Sequence, residues 1–298
     1  MTTVVKLDNL TKKYGESIGI EEISLSVPKG SVYGFLGPNG AGKSTTINLL
    51  LDLIRPTSGQ LSIFNLDVRH NGQEIRRRTG YLSSDLALDL HLTGAQQLEY
   101  FANLHGNIKR SVVDILIARL GCQTDKKIKD LSRGNRQKIG LVAALMHQPE
   151  LLILDEPTSG LDPLMQAEFN KLISEHKIAG GTTFISSHVL SEVQEICDRV
   201  AFVRAGKLIT EQSVDVLTKS TPRHLRLWGT SQELLQKLKK LAGISKIQIS
   251  GNNIQALYSG HLPKLLKLLA NHPPADMTLT EADLETIFMN YYGEGDDV

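Results

Sequence analysis

Three groups of residues have the types and spacing to do phosphate chemistry. Gly37, Pro38, Asn39, Gly40, Ala41, Gly42, Lys43, Ser44 and Thr45 satisfy the pattern G-x-x-x-x-G-K-[ST]. Glycines at 37, 40 and 42 let backbone N–H groups converge on one point without Cβ obstruction, and a helix that starts there aims its positive end at the same point. That point suits phosphate. Lys43 would neutralise β and γ phosphates, the Ser44 hydroxyl would ligate Mg²⁺, and Thr45 would support the phosphates. The second group is LLILDEP, an apolar run that carries Asp155 and Glu156 to its carboxyl end. Asp155 could reach Mg²⁺ through water, and Glu156 could reach a water aligned with the γ phosphate, which makes Glu156 the candidate general base. The third is Ser132, a helix N-cap candidate, with Arg133, Arg136 and Lys138 crowding positive charge at a helix start that already repels cations. Such a site wants an anion.

The elements that must hold these groups follow from hydrophobic periodicity. Short β-type runs at Val4–Leu7, Ile18–Val27 and Val32–Leu36, punctuated by Pro28-Lys29-Gly30, predict a β meander that leads into a buried strand. Strand, Gly-rich loop and an apolar helix ending near Pro56 then form a phosphate-loop layout. Further strands are expected at Gln60–Phe64 and Thr79–Ser83, a helical block from about Thr93 to Gly121, and a helix over Leu131–His147. The apolar strand Leu151–Leu154 is followed by helix, strand (Thr182–Ser186) and helix, and this alternation implies a mainly parallel sheet. His188 falls at the same sheet edge as Asp155 and Glu156. Val200–Thr210 reads as a hairpin turning at Ala205-Gly206.

The polar stretch from Lys219 to Pro222 marks a boundary between a domain over 1–221 and a smaller one over 222–298. The second domain is expected to run as strand Arg223–Trp228, helix Ser231–Ala242 opened by a Thr230/Glu233 capping pair, hairpin Ile244–Ile249 and Ile254–Tyr258 around Gly251–Asn253, helix Leu262–Asn271, a short strand near Met277 and a last helix from Glu281. That order predicts a small ferredoxin-like α+β unit. The run LPKLLKLLA reads as a core stripe with solvated lysines rather than a membrane-surface helix.

Composition narrows the class. The 298 residues carry 33 Lys+Arg against 32 Asp+Glu, for a net charge of +1, with 41% hydrophobic residues. That is the make-up of an ordinary globular chain, without the domain-wide basic excess expected of a nucleic-acid binder, so no nucleic acid is expected as a partner. Two isolated cysteines, Cys122 and Cys197, exclude a disulfide framework or a Cys-rich zinc site and make a reducing compartment the default. The opening MTTVVKLDNL lacks the layout of a signal peptide. The longest apolar stretch, Leu141–Met146, is far short of the about 20 residues that a membrane span needs.

With these motifs in hand, residues from roughly Thr3 to Glu211 resemble an ABC-type ATPase. Beside GPNGAGKST and LLILDEP, the stretch LSRGNRQ is similar to that family's signature motif, Ser159-Gly160-Leu161-Asp162 to its D-loop, and His188 to its switch histidine. Tyr14 stands at the family's adenine-stacking position. The resemblance implies an α/β fold, namely a P-loop ABC ATPase domain with a mainly parallel sheet core, an antiparallel β subdomain and a helical subdomain. It also implies ATP and Mg²⁺ as cofactors and a two-fold dimer that sandwiches two ATP molecules. Ser132, Arg133, Gly134 and Asn135 would then meet the γ phosphate of ATP held by the other subunit, and His188 would hydrogen-bond the γ phosphate on its own side. Two departures stand out: the signature's usual glycine pair and glutamine appear as Arg133-Gly134 and Asn135, and the expected Q-loop glutamine is Ser84, which is shorter.

Within the family, GLDPLMQAEF, SSHVLSEVQEICDRV and LETIFMNYYG are similar to ATP-binding subunits of bacterial drug and antibiotic exporters of the ABC-2 type. The resemblance implies a separate membrane permease that docks near the Ser84 loop and the 93–121 block, and a peripheral location on the cytoplasmic side of the cell membrane. Two alternatives fit less well. Soluble relatives acting on ribosomes typically carry two cassettes and those acting on DNA carry long coiled-coil insertions, whereas Lys43 and Ser132 are only 89 positions apart. Importer ATPases often carry a β-rich regulatory domain, and 222–298 reads as α+β.

Overall fold

The computed structural model describes residues 2–106, 108–216 and 223–281. The chain divides into two compact units, Met1–Ser213 and Val214–Val298.

The first unit holds two sheets. Strands β1 (Thr3–Tyr14), β2 (Ser17–Pro28), β4 (Ser58–Ile63) and β5 (Leu66–Asp67) form an antiparallel sheet in the order β2-β1-β4-β5. The six-stranded sheet runs β10-β9-β3-β8-β7-β6, built from β3 (Val32–Leu36), β6 (Thr79–Leu82), β7 (Leu151–Asp155), β8 (Thr182–Ser187), β9 (Arg199–Arg204) and β10 (Lys207–Ser213). All its pairings are parallel except β10 with β9. Every residue of β3 and β7 is buried, as expected of strands covered on both faces. The Phe184 ring lies 5.9 Å from Tyr33 and 5.3 Å from Phe35, and the same apolar cluster takes in Val5, Leu7 and Ile23 of the antiparallel sheet. One core therefore fixes both sheets to each other.

Helix α1 (Lys43–Leu50) follows β3, and α2 (Val68–Arg77) follows β5. The sequence reading carries no helix at α2, because Asn71 and Gly72 interrupt its middle, and Asn71 is indeed non-helical with φ of −123°. The helical block is two helices, α3 (Gly94–His105) and α4 (Arg110–Leu120), because Gly106 ends the first with φ of +66°. A Thr93/Gln96 capping box opens α3. Then come α5 (Arg133–Leu145), α6 (Pro163–Ile178) and α7 (Leu190–Ile196).

The second unit runs β11 (Arg223–Trp228), α8 (Gln232–Lys239), β12 (Ile244–Ser250), β13 (Asn253–Tyr258), α9 (Leu262–Asn271) and β14 (Asp276–Glu281), with antiparallel sheet order β12-β13-β11-β14. This is the ferredoxin-like split βαβ arrangement. Its core pairs Leu225, Leu227, Ile254 and Tyr258 with Leu234 and Leu238 of α8 and Leu265 and Leu269 of α9, with Leu262 and Leu268 packed at its margin, so four leucines of LPKLLKLLA face a core while Leu266 is exposed. The cap of α8 is Ser231, which accepts from the Leu234 amide at 3.1 Å, and not Thr230, whose hydroxyl donates to the Asn252 carbonyl at 2.8 Å. Strand β14 runs to Glu281, and the helix expected from that point lies outside the described residues.

At the end of α5, the His147 ring stacks on His105 with centroids 3.9 Å apart. Burial first, and the neighbouring His105 charge second, push His147 from 6.5 down to about 4. The unfolded chain therefore takes up the proton first, so stability is lost as pH falls from about 6.5 towards 4 and is unaffected above that window. Denaturant midpoints measured across this range should fall less steeply in His147→Gln than in the parent chain, and identical slopes would contradict the assignment.

Candidate functional site

Parallel strands β3, β8, β7 and β6 are neighbours, so the segments that leave their carboxyl ends meet along one edge. Ligands of open α/β sheets bind outside that edge. Here β3 delivers residues 37–45, β7 delivers Asp155 and Glu156, β8 delivers His188, and β6 delivers Ser83 and Ser84.

The loop from Gly37 to Gly42 wraps around the start of α1. Gly42 has φ of +101°, and a Cβ there would sit 2.6 Å from the Gly19 carbonyl oxygen, so only glycine fits. Lys43 is 6% exposed, and its Nζ donates to the carbonyls of Gly37 at 2.8 Å and Pro38 at 3.1 Å. The ammonium thus lies inside the loop. Burial lowers its pKa, opposed by the charges of Glu156 and Asp155. Pro38, Asn39 and Gly40 are exposed along the loop, and Ala41 packs into the core. Tyr14, at the end of β1, is 49% exposed. Its ring and the Thr45 methyl both lie over Gly19, where an added Cβ would meet them at 2.9 and 3.1 Å. The side chain therefore borders the loop, with Lys12 Nζ 5.1 Å from the ring centre.

Asp155 is 4% exposed and surrounded by hydroxyls. Ser84 Oγ donates to Oδ2 at 2.9 Å, Ser44 Oγ to the same oxygen at 3.4 Å, and Ser186 Oγ to Oδ1. Hard oxygen donors of this kind fit Mg²⁺, which takes one or two carboxylates and completes its shell with phosphate and water. Among the described residues no group of three or more His, Cys, Asp or Glu could hold a metal ion, so a cation here depends on that mixed set. Ser84 is shorter than the glutamine expected at this position, and its hydroxyl reaches the Asp155 carboxylate. Sequence reasoning leaves Ser84 and Ser186 out of the site, and the signal for Ser84 is its place after Gly80-Tyr81-Leu82-Ser83, where the Q-loop glutamine is expected.

Glu156 Oε1 lies 3.0 Å from His188 Nδ1 and 3.8 Å from Lys43 Nζ. The backbone at Glu156 has φ of +49°, in a non-glycine residue that precedes a proline. Such a conformation costs about 1–3 kcal/mol and collects at functional sites. The Glu156 amide donates to the Ser186 carbonyl at 3.1 Å and bonds Ser186 Oγ at 3.3 Å.

Ser132 to Asn135 form a second group. Ser132 caps α5, its Oγ accepting from the Asn135 amide at 3.2 Å. Arg133 Nη2 donates to Ser159 Oγ at 3.1 Å, and a Cβ on Gly134 would sit 2.5 Å from the Gly160 carbonyl oxygen, so this helix start lies directly against residues 159–160. The Asn135 side chain is committed elsewhere: it accepts from the Gln123 amide at 2.8 Å and donates to the Gln123 carbonyl at 2.9 Å. No hydrogen bond or ion pair among the described residues joins Ser132–Asn135 to residues 37–45.

Residues 20–159 match the family described as "ABC transporter", and a shorter match to an AAA domain covers 127–193. The chain is 37% identical over 303 residues to the bacitracin transport ATP-binding protein BcrA of Bacillus licheniformis, covering 99% of each. It is 36% identical over 224 residues to the daunorubicin resistance ATP-binding protein DrrA3 of Streptomyces coeruleorubidus, covering 74% of this chain and 71% of that one. Among solved structures, a dimeric ATP-binding cassette in a post-hydrolysis state, bound to ADP and Pi, superposes with a TM-score of 0.65 at 24% identity, over 70% of this chain and 98% of that one; this likeness shows the fold.

Removing the Ser84 hydroxyl should loosen the Asp155 carboxylate without touching the phosphate loop. In Ser84→Ala, the Mn²⁺ concentration for half-saturation in the presence of nucleotide, read by electron paramagnetic resonance, should rise about tenfold. An unchanged value would show that the hydroxyl does not support cation binding.

Proposed function

We propose, from the premise that this chain belongs to the ABC transporter ATP-binding family, that it is the ATP-hydrolysing subunit of a drug or antibiotic exporter, working as a two-fold dimer on a separate membrane permease. The observation that carries the catalytic part is the position of Glu156, whose carboxylate lies between His188 and Lys43 at the carboxyl edge of β7 and β8. The relatives of resistance and bacitracin transport support the export direction.

The chain's own groups divide the work. Backbone N–H groups of residues 37–42 and the start of α1 bind the β and γ phosphates, and Lys43 exchanges its two loop carbonyls for phosphate oxygens. Tyr14 stacks on the adenine. Ser44 and Asp155 hold Mg²⁺, which when bound neutralises charge on the β and γ phosphates. Glu156 takes the proton of the attacking water, while His188 orients that carboxylate and reaches the γ phosphate. Ser132, Arg133, Gly134 and Asn135 close over the γ phosphate carried by the partner subunit, with the Asn135 side chain shaping the loop through Gln123. Hydrolysis then reopens the dimer, and this cycle drives the permease.

No helix among the described residues is long and apolar enough to cross a membrane. On this reading the pathway belongs to the permease, and this subunit attaches to the cytoplasmic side of the membrane through it. Nucleotide chemistry resides in residues 1–221, and 222–298 is an accessory domain.

Glu156→Gln should retain ATP binding while hydrolysis slows by about 10²–10⁴-fold, and wild-type turnover would overturn the base assignment. Lys43→Ala should instead lose ATP affinity itself. When tagged Glu156→Gln protein is drawn from native membranes with ATP and Mg²⁺, a polytopic membrane protein should co-purify. Recovery of ribosomal or DNA-bound material in its place would refute the transporter reading.

A further inference from the structure

Gln137 lies one turn into α5, the helix that Ser132 caps, and is 3% exposed. Its Nε2 donates to the carbonyl of Pro157 at 3.1 Å and to that of Glu156 at 3.4 Å. Both acceptors are carbonyl oxygens, which have no proton to give, so the amide must present its NH₂ to them. The Glu156 carbonyl also accepts from the Ser159 amide at 3.2 Å. One buried side chain from α5 therefore grips the turn that carries the candidate base, at the residue whose φ is +49°. Conformations of that kind persist only where the surroundings over-determine them. From the other side, Ser186 holds the Glu156 amide. Gln137 also lines a cleft of about 450 Å³ together with Ser84 and Arg133, so α5 meets the Asp155 support and the anion-seeking helix start at one place.

We infer that Gln137 is a positioning residue that ties α5 to Glu156. The start of α5 is the part of the chain that meets the partner's nucleotide, and Gln137 is the part of the same helix that sets the backbone of this chain's own base. A shift of α5 when the partner's γ phosphate engages Ser132 and Arg133 is therefore delivered to Glu156 through the Gln137 amide. The two nucleotide sites of a dimer are coupled along one helix, without passing through the phosphate loop. This inference rests on the proposed reading of Glu156 as base and of the dimer as the working form.

Gln137→Met keeps the length of the side chain and removes both hydrogen bonds. The expected result is a fall in kcat of about 10- to 100-fold, with the Kd for a fluorescent ATP analogue unchanged. Gln137→Asn, which keeps the amide but withdraws it by one methylene, should show the same split and serves if the methionine variant does not fold. The decisive step is the double variant. If Gln137 acts through Glu156, single-turnover hydrolysis by Glu156→Gln should fall no further when Gln137→Met is added. An equal loss in both backgrounds, wild-type turnover in Gln137→Met, or a parallel loss of ATP affinity would each overturn the inference. Wild-type turnover in Glu156→Gln alone would instead overturn the reading of the base, so the two failures are distinct.

Discussion

The parallel register of β3, β8, β7 and β6 is the constraint on which the rest of the site depends. Asp155 pairs with Ser186 across β7 and β8, and Leu36 pairs with Ser187 across β3 and β8, so the three strands end level. Level ends force the phosphate loop, the Asp155/Glu156 pair and His188 into one row. Because β3 and β7 are wholly buried, sliding either strand would drag apolar side chains out of the core that both sheets share. The chemistry is thus indexed by hydrophobic packing several residues away from it.

Within that row one carboxylate is shared between two partners. Lys43 is buried against two carbonyls and a carboxylate at 3.8 Å, and the same carboxylate meets His188 at 3.0 Å. A buried ammonium whose nearest carboxylate is 3.8 Å away and shared with a histidine gains when a further anion arrives. Asp155, by contrast, is held by hydroxyls that also suit a cation. The arrangement therefore suits a polyphosphate. The start of α5, packed against Gly160, offers a second anion-seeking surface that no part of the same phosphate loop bonds. Two anion-seeking groups that share no hydrogen bond or ion pair among the described residues are what a two-fold dimer would complete.

Much of this arrangement was legible in the residues. The loop from Gly37 to Thr45 and the run LLILDEP each announce a strand end by pattern, because a continuous apolar run followed by glycine or charge has few other readings. The ferredoxin-like unit was legible for the same reason, its leucine stripes repeating at helical spacing. What could not be read depends on tertiary distance. That Ser84 reaches Asp155 follows from β6 lying beside β7, that Asn135 is spent on Gln123 follows from a loop returning to α5, and the role of Gln137 follows from a turn that no local pattern encodes. Helix α2 was hidden by Asn71-Gly72, where the element does kink, Asn71 standing outside helical geometry.

The central claim is that one chain holds only half of each nucleotide site. Sedimentation of the 298-residue Glu156→Gln chain tests it most directly, because a slowed base should let the closed state accumulate. The account predicts a monomer without nucleotide, a dimer carrying two ATP molecules when ATP and Mg²⁺ are added, and a return to monomer with ADP. A chain that saturates with ATP and remains monomeric would contradict it.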